Sequence, residues 1–219
     1  MTTTTVIVAV ISYLLGSIPF GYLLVRIFRG EDVRQTGSGN IGATNVARTG
    51  SKTLAIATLL LDALKGYVAV VIAFWLATHM AIRVSDTTMA SLDIVDPHVA
   101  YRLAALAALF AILGHMFPIW LRFKGGKGVA TALGAFAALA PRAILVALVV
   151  FVVVVALTRY VSLGSMLGAA IFPCAAWWLN PSTRTAAVMF PIALSSLLII
   201  VRHKDNIRRL LAGTENRFR

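Results

Sequence analysis

Uninterrupted apolar runs of about twenty residues constrain the fold of this chain more than any other feature of its sequence. The first of them, residues 5–25, carries no charged side chain. A helix of about 20 residues crosses a hydrocarbon core of about 30 Å and satisfies its backbone hydrogen bonds internally. Transmembrane β-strands instead alternate apolar and polar residues over about ten positions, and these runs do not alternate. We therefore predict an all-α integral membrane protein, a polytopic helical bundle.

The composition agrees with this fold class. Of the 219 residues, 59% are hydrophobic and 13% are charged, whereas soluble domains use about 45–50% apolar residues. Disordered chains are poorer still in large apolar side chains, so the same comparison excludes disorder. Cys174 is the only cysteine of the sequence and lies in an apolar run. We expect it to be a buried small hydrophobic residue.

Seven apolar segments can be distinguished, and each is a candidate helix. They lie at about 4–25, 53–82, 99–121, 128–141, 143–158, 160–179 and 185–201. The fourth and fifth are short for a perpendicular crossing. Pro141 between them is compatible with a turn between two helices or with a kink in one long helix. No repeat of transporter length is visible, and we expect residues 1–219 to form a single domain.

Basic residues indicate which side of the membrane each loop faces. They concentrate in residues 29–53, 122–128 and 202–219, while the loop 79–98 carries three aspartates and a single arginine. Because cytoplasmic loops are enriched in Lys and Arg, the three basic segments are expected inside and the loop 79–98 outside. An even number of crossings must then separate residues 128 and 202, which favours two helices over 128–158. We predict about seven helices, two of them short, with the N-terminus outside and the C-terminus cytoplasmic.

The formal net charge of +12 has the same explanation. In a soluble protein such an excess would suggest a nucleic-acid partner. In a helical membrane protein it marks the cytoplasmic loops, so no nucleic-acid partner is expected.

The first polar loop, residues 37–48, has more hydrogen-bonding groups than a connection needs. Its G-x-G-x-x-G pattern indicates a dinucleotide site only after a strand, and here it follows a membrane helix. Glycines still let backbone N–H groups approach an anion, and an arginine offers a fork suited to phosphate. A flexible glycine-rich linker is the alternative. The candidate binding residues are Ser38, Gly39, Asn40, Gly42, Thr44, Asn45 and Arg48.

A second polar segment surrounds a Lys-Gly-Gly-Lys-Gly turn just before an apolar segment. It does not match the Walker A pattern, but two ammonium groups flank backbone that can approach an anion. The alternative is an interfacial turn that touches lipid headgroups. The candidate residues are Lys124, Gly125, Gly126, Lys127 and Gly128. His115, near the end of the preceding span, receives no assignment.

A third segment, residues 202–215, predicts a short basic amphipathic helix. Ile207, Leu210 and Leu211 recur at helical spacing, and Gly213 suits the position after a helix end. A helix lying on anionic lipid is the alternative. His203 and Asn206 are one turn apart and are expected to face the same way. Histidine is the usual side chain for proton transfer near neutral pH.

Asp62 and Lys65 are charged residues inside the second apolar segment. Intramembrane charges are costly and face protein. Their spacing of three residues predicts a mutually neutralising pair that positions helices, with direct catalysis as the lesser alternative.

The ordered set of segments resembles the PlsY-type acyl-phosphate:glycerol-3-phosphate acyltransferases of bacteria. The resemblance runs through residues 37–48, 61–66, 114–131 and 202–215 and, with the hydropathy profile, covers essentially the whole chain. It implies transfer of a fatty acyl group from acyl phosphate to the sn-1 hydroxyl of glycerol 3-phosphate. The products would be lysophosphatidic acid and phosphate, made at the cytoplasmic face of the inner membrane in phospholipid synthesis.

The resemblance also implies roles for residues that match the motifs. Ser38 and Arg48 correspond to functional residues of the first motif, and His203 and Asn206 to those of the third. Glu215 corresponds to a structural glutamate. The glycerol-phosphate site corresponds to Lys124, Gly125, Gly126, Lys127 and Gly128. No cofactor and no metal are expected, and the partners are acyl phosphate, glycerol 3-phosphate and membrane lipid, with the protein acting as a monomer.

Three mechanisms and two other functions stay open at this point. His203 could remove the hydroxyl proton while Asn206 orients substrate, a substrate phosphate could take the proton, or Ser38 could act as a covalent nucleophile. An organic-phosphate transporter would place polar groups near the bilayer centre in repeated halves, whereas these motifs cluster on one face. A lipid-binding scaffold would catalyse nothing.

Overall fold

The computed structural model describes residues 2–88 and 96–217, with the backbone alone for Thr2 and residues 80–88. Asp93 of the predicted outer loop and Arg219 of the basic tail lie outside the described residues. Within the described ranges the regular elements are helical. The α-helices are α1 (Thr2–Ser17), α2 (Phe20–Arg29), α3 (Ala43–Ala47), α4 (Lys52–Thr88), α5 (Pro97–Met116), α6 (Val129–Leu139), α7 (Pro141–Thr158), α8 (Val161–Leu179), α9 (Ala186–Val201) and α10 (Lys204–Leu211).

The apolar segments of the sequence correspond to these helices. In the part of the chain that the structure describes, five stretches have the length and composition of full spans, namely Thr3–Arg29, Lys52–His79, Pro97–Leu121, Pro141–Thr158 and Val161–Leu179. α9 and α10 pass the same test only when they are taken together across a bend of 50°, which would count as a sixth, and α6 is a shorter apolar helix. The prediction of an all-α, polytopic integral membrane protein is confirmed. The side on which each terminus lies stays a prediction.

Residues 128–158 form two helices rather than one kinked helix. Ala140, between α6 and α7, has φ −146° and ψ 73°, which lies outside the helical region. Pro141 follows in the first turn of α7, where its missing N–H costs no helical hydrogen bond. α6 is short, as predicted, with 11 residues. α7 has 18 residues and the length of a full span.

The chain divides into two compact units, Met1–Leu139 and Ala140–Arg219. In the first unit α1 packs against α5, and α4 packs against both α5 and α6. In the second unit α8 packs against α7 and α9. Cys174 on α8 is exposed, so the expectation that it is buried is wrong. The prediction of a single domain over residues 1–219 stays a prediction.

Glycines allow the helices of the first unit to approach closely. A Cβ on Gly66 of α4 would run into the carbonyl oxygen of Thr131 on α6, and a Cβ on Gly134 of α6 would run into that of Ala63 on α4. Small residues at such crossings are typical of helix packing in lipid, where contact between backbones replaces the hydrophobic effect. The two glycines therefore fix how near α6 lies to α4.

We expect Gly134→Ala to destabilise the protein although alanine is the better helix former. Propensity alone favours alanine by about 1 kcal/mol, but the added methyl must displace the α4 backbone, and such overpacking costs about 1–3 kcal/mol. Thermal unfolding in detergent should therefore show a lower Tm. Gly168→Ala is the milder comparison, because its Cβ would lie 3.1 Å from the Ala147 carbonyl oxygen, a tight contact that a small shift relieves, so its Tm should fall less. An unchanged or raised Tm for Gly134→Ala would contradict the packing interpretation.

Candidate active-site loops

Asn45 organises the first polar loop from its interior. Its Nδ2 donates to the carbonyl oxygens of Val33 (2.9 Å), Thr36 (3.0 Å) and Asn40 (2.8 Å). Its Oδ1 accepts from the backbone N–H of Ser38 at 2.8 Å and from the Ser38 hydroxyl at 3.2 Å. Asn45 is only 2% exposed. The Asn45 side chain therefore holds the loop in its shape. The sequence predicts instead that Asn45 contacts substrate directly.

Two glycines let the loop fold around this amide. Gly37 and Gly39 have φ of +56° and +68°, in the left-handed region that favours glycine. A Cβ on Gly37 would also run into Asn45 Oδ1 and approach Arg48 Cδ to 2.9 Å, so the Arg48 side chain passes over Gly37. Asn40 contributes a local turn, because its Oδ1 accepts from the N–H of Gly42 at 2.9 Å.

The loop presents its reactive groups outward. Ser38, Thr44 and Arg48 are all exposed, while Asn45 beneath them is buried. A hydroxyl and a guanidinium held above a rigid base can bind a phosphate through charge-assisted hydrogen bonds. Ser38 and Arg48, the two residues of this loop to which the family resemblance gives a functional role, are therefore both exposed on the same loop.

The Lys-Gly-Gly-Lys turn folds back onto the end of α5. The N–H of Gly125 donates to the Met116 carbonyl at 3.1 Å, and that of Gly126 donates to the His115 carbonyl at 3.0 Å. A Cβ on Gly125 would meet the His115 carbonyl oxygen. The sequence predicts that the backbone of this turn can approach an anion between its two lysines. These two amides attach the turn to α5, and the glycines are required by close packing.

The groups that can bind an anion at this turn lie on either side of the two glycines. Lys124 is exposed, and α6 begins at Val129 as predicted. The N–H groups in the first turn of a helix have no acceptor within that helix and carry a partial positive charge. Gly128, with φ +83°, sets the angle at which the turn enters α6.

An apolar cluster supports both polar segments of the first unit. Leu121, from the residues just before the turn, packs with Val33, Ile41 and Val46 of the first loop and with Val25 of α2. All five side chains are buried. The first loop and the segment that leads into the turn therefore share one hydrophobic base, although about eighty positions separate them in the sequence.

Asp62 and Lys65 form the buried pair that the sequence analysis predicted. Lys65 Nζ lies 2.7 Å from Asp62 Oδ1, and the two side chains are both 2% exposed. Lys65 Nζ also donates to the Ile18 carbonyl at 2.7 Å, at the break between α1 and α2. His115 Nδ1 lies 3.5 Å from Asp62 Oδ1. His115, which the sequence analysis left unassigned, is therefore part of the same buried network.

The third segment folds as predicted, into the short helix α10. Gly213 has φ +68° and ends it. The N–H groups of Gly213 and Thr214 donate to the carbonyls of Leu210 and Arg209, which is the Schellman arrangement of a glycine-terminated helix. His203 lies at the start of α10, and its Nδ1 is 2.8 Å from the Ile199 carbonyl oxygen. Because a carbonyl can only accept, Nδ1 carries the proton, and in the neutral ring Nε2 then carries the lone pair.

Glu215 holds the end of this segment in place within the second unit. Its Oε1 accepts from Ser162 Oγ of α8 and from Asn206 Nδ2, and its Oε2 accepts from Arg209 Nε, each at 2.6 Å. Burial favours a higher pKa for Glu215, but these three donors outweigh it and hold the pKa below its ordinary value. The carboxylate is therefore ionised at neutral pH, and Asn206 is oriented by it.

Sequence reasoning missed three contributions to these loops. Ser162 and the carbonyl of Ile18 lie far along the chain from the groups they bind, so spacing alone did not indicate them. His115 was noticed but carried no pattern that distinguished it from an ordinary packing residue. Within the described ranges, no group of three or more His, Cys, Asp or Glu side chains could hold a metal ion. The expected absence of a cofactor stays a prediction.

Comparison with known proteins agrees with this arrangement. The family model described as Glycerol-3-phosphate acyltransferase matches residues 6–213. The glycerol-3-phosphate acyltransferase of Agrobacterium fabrum is 46% identical over 211 residues, which cover 95% of this chain and 89% of that protein. The one of Mesorhizobium japonicum is 46% identical over 217 residues, covering 99% and 97%.

Two solved structures share the fold over nearly the whole chain. Both are crystal structures of PlsY (YgiH), an integral membrane glycerol 3-phosphate acyltransferase. Its glycerol 3-phosphate form has a TM-score of 0.79 at 35% identity and covers 98% of this chain and 96% of that one. Its lysophosphatidic acid form has a TM-score of 0.75 at 34% identity, with 98% and 95% covered. This chain therefore belongs to the glycerol-3-phosphate acyltransferase family and is a membrane-embedded acyltransferase.

Proposed function

We propose that this acyltransferase moves a fatty acyl group from acyl phosphate to the sn-1 hydroxyl of glycerol 3-phosphate. The products are lysophosphatidic acid and inorganic phosphate, formed at the cytoplasmic face of a bacterial inner membrane. The observation that carries the proposal is the cationic pair of loops, with Arg48 and Lys124, that rests on one apolar base in a membrane protein of this family. The related crystal structures were solved in glycerol 3-phosphate and lysophosphatidic acid forms, which supports this acceptor and product.

The choice of donor rests on chemistry and on a missing motif. None of the four His residues has an Asp five positions later, so the H-x-x-x-x-D pattern of the better-known glycerolipid acyltransferases is absent from the sequence. Acyl phosphate is a mixed anhydride with a good leaving group, so direct attack suffices without a covalent enzyme intermediate. A donor with a phosphate head and an apolar tail also suits a cationic site at a membrane surface.

The residue roles follow from what each group presents. Ser38 and Arg48 bind phosphate or stabilise the carbonyl oxyanion, and Thr44 adds an exposed hydroxyl. Lys124, Lys127 and the backbone from Gly128 into α6 bind the phosphate of the acceptor. The other candidate residues of the two loops keep the loops in shape. We assign this supporting role to Gly39, Asn40, Gly42, Asn45, Gly125 and Gly126. Asp62, Lys65 and Glu215 are structural.

The transfer step needs one bond exchange and one proton acceptor. The glycerol oxygen attacks the acyl carbonyl carbon, the bond from that carbon to the phosphate oxygen breaks, and phosphate leaves with the electron pair. The hydroxyl proton goes to His203 Nε2 in one mechanism and to a phosphate oxygen of a substrate in the other. The proton on His203 Nδ1 favours the first, because it leaves Nε2 as the basic nitrogen. Asn206, oriented by Glu215, places substrate in either case.

The central test is product formation by purified protein in detergent. With defined acyl phosphate and glycerol 3-phosphate, we expect stoichiometric release of lysophosphatidic acid and phosphate, followed by mass spectrometry. Acyl-CoA in place of acyl phosphate should give no product. Because no sealed compartment is present, a transporter could not produce this result. Absence of turnover with acyl phosphate, or equal turnover with acyl-CoA, would contradict the proposal.

Single-turnover rates at saturating substrate distinguish the two proton acceptors. If His203 is the base, His203→Ala should slow transfer by about 10²–10⁴-fold, the usual contribution of general base catalysis. If a substrate phosphate is the base, His203→Ala should transfer at a near wild-type rate. Arg48→Lys should then be the crippling change, because lysine keeps the charge but loses the bidentate fork. Fast transfer by both variants would rule out both assignments.

The sidedness of the loops can be measured with single cysteines. In a Cys174→Ala background, Lys52→Cys and Arg208→Cys report the two basic segments, and His98→Cys reports the predicted outer side. All three positions are exposed. A membrane-impermeant maleimide added to spheroplasts should label His98→Cys alone, and the other two only after permeabilisation. Labelling of Arg208→Cys together with His98→Cys would place the basic tail outside.

A further inference from the structure

His115 is a buried side chain in contact with the turn at residues 124–128. Its own carbonyl accepts from the N–H of Gly126, and its imidazole lies directly beneath that residue, because a Cβ on Gly126 would run into His115 Nε2. His115 is 3% exposed. The ring therefore supports the middle of the turn, between the two lysines.

The other ring nitrogen faces the buried ion pair. His115 Nδ1 lies 3.5 Å from Asp62 Oδ1, and Asp62 is held by Lys65 at 2.7 Å. Lys65 is fixed in turn by its bond to the Ile18 carbonyl at 2.7 Å. These groups are buried, so solvent ions screen their interactions little. Asp62 thus lies against one edge of the imidazole, at a point anchored on α4 and on the break between α1 and α2.

We propose that His115 is a positioning residue for the acceptor phosphate. Its imidazole, which lies against Asp62, is the surface on which Gly126 packs. By supporting Gly126, the imidazole determines the position of the turn. That position in turn determines where the Lys124 and Lys127 ammonium groups and the first turn of α6 contact the phosphate. This inference rests on the proposed function, in which the turn binds glycerol 3-phosphate. It gives the buried pair a role in the site besides holding helices together.

Steric coupling between His115 and Gly126 tests the proposal in the full-length protein in detergent. Gly126→Ala puts a methyl where His115 Nε2 lies, so the turn must shift. We expect its KM for glycerol 3-phosphate to rise about tenfold or more, since small displacements of a binding group have large effects. The KM for acyl phosphate should stay within about twofold of the wild-type value, because the proposed function assigns this turn to the phosphate of the acceptor.

His115→Asn should partly reverse this loss. Asparagine keeps a nitrogen near the place of Nδ1, facing Asp62, and removes the ring atoms beneath Gly126. Alone it should raise the KM for glycerol 3-phosphate about fivefold, because Gly126 loses its support. In the double variant the methyl added at position 126 fills the vacated space, so this KM should lie at least about threefold below that of Gly126→Ala. If the two single effects multiply instead, the proposal is overturned.

Gly125→Ala is the matched control in the same turn. Its added methyl meets the His115 backbone carbonyl and Pro118 Cδ, which no substitution at His115 removes. His115→Asn should therefore leave the KM of Gly125→Ala unimproved. Equal rescue of Gly125→Ala and Gly126→Ala would show general loosening of the turn and would overturn the proposal.

One further measurement and one substitute variant keep the outcomes separate. Thermal unfolding shows which variants are folded, and His115→Ser, which is also small and can donate to Asp62, replaces His115→Asn if the latter does not fold. A parallel rise of KM for both substrates would indicate a purely structural effect and would overturn the positioning role. Failure of the proposed function looks different, because the wild-type protein itself would then show no transfer from acyl phosphate to glycerol 3-phosphate.

Discussion

Close backbone contact between helices is the constraint on which the rest of the first unit depends. In lipid the hydrophobic effect does not drive helices together, so their association relies on packing and on interhelical polar contacts. Gly66 and Gly134 bring α4 and α6 together, and Gly16 and Gly114 do the same for α1 and α5, because a Cβ on either would meet the partner helix backbone. These contacts fix the end of α5 and the beginning of α6. The turn that carries Lys124 and Lys127 joins those two points, so its position follows from the helix packing.

The polar residues of the loops are of two kinds: some expose groups that can bind substrate, and others hold the loop backbone in shape beneath them. In the first loop Asn45 is buried and hydrogen-bonded to its own loop, while Ser38 and Arg48 are exposed above it. In the second unit Glu215 plays the supporting part, with three donors on its carboxylate and Asn206 among them. In each case one polar side chain, the amide of Asn45 or the carboxylate of Glu215, lies at the centre of a short polar segment and binds several of its groups. A loop so organised is rigid before substrate arrives, which lowers the ordering cost of binding and of reaction.

The fold was largely predictable from the sequence, because length and hydropathy determine which segments can lie in lipid. The seven apolar segments correspond to helices, and the end of α10 at Gly213 followed from periodicity and helix-capping rules. The finer division of labour was not predictable. A glycine that binds an anion and a glycine that packs on top of a histidine look alike in sequence, and only the contact of Gly126 with His115 distinguishes them. The bonds of Lys65 to Ile18 and of Ser162 to Glu215 join positions 47 and 53 residues apart, beyond any local pattern.

The buried pair of Asp62 and Lys65 is not explained by stability alone. Replacing a buried ion pair by well-packed apolar residues is often neutral or stabilising by about 1–4 kcal/mol, because desolvation offsets the attraction. What an apolar pair could not supply is direction. The Lys65 ammonium bonds to the Ile18 carbonyl where Pro19 interrupts the first span, and the Asp62 carboxylate faces the ring of His115. The pair therefore links α4 to two other elements at defined angles. One of those elements is α5, which leads into the turn that we assign to phosphate binding. The two charges therefore help to position that turn, and the cost is the free energy of removing them from water.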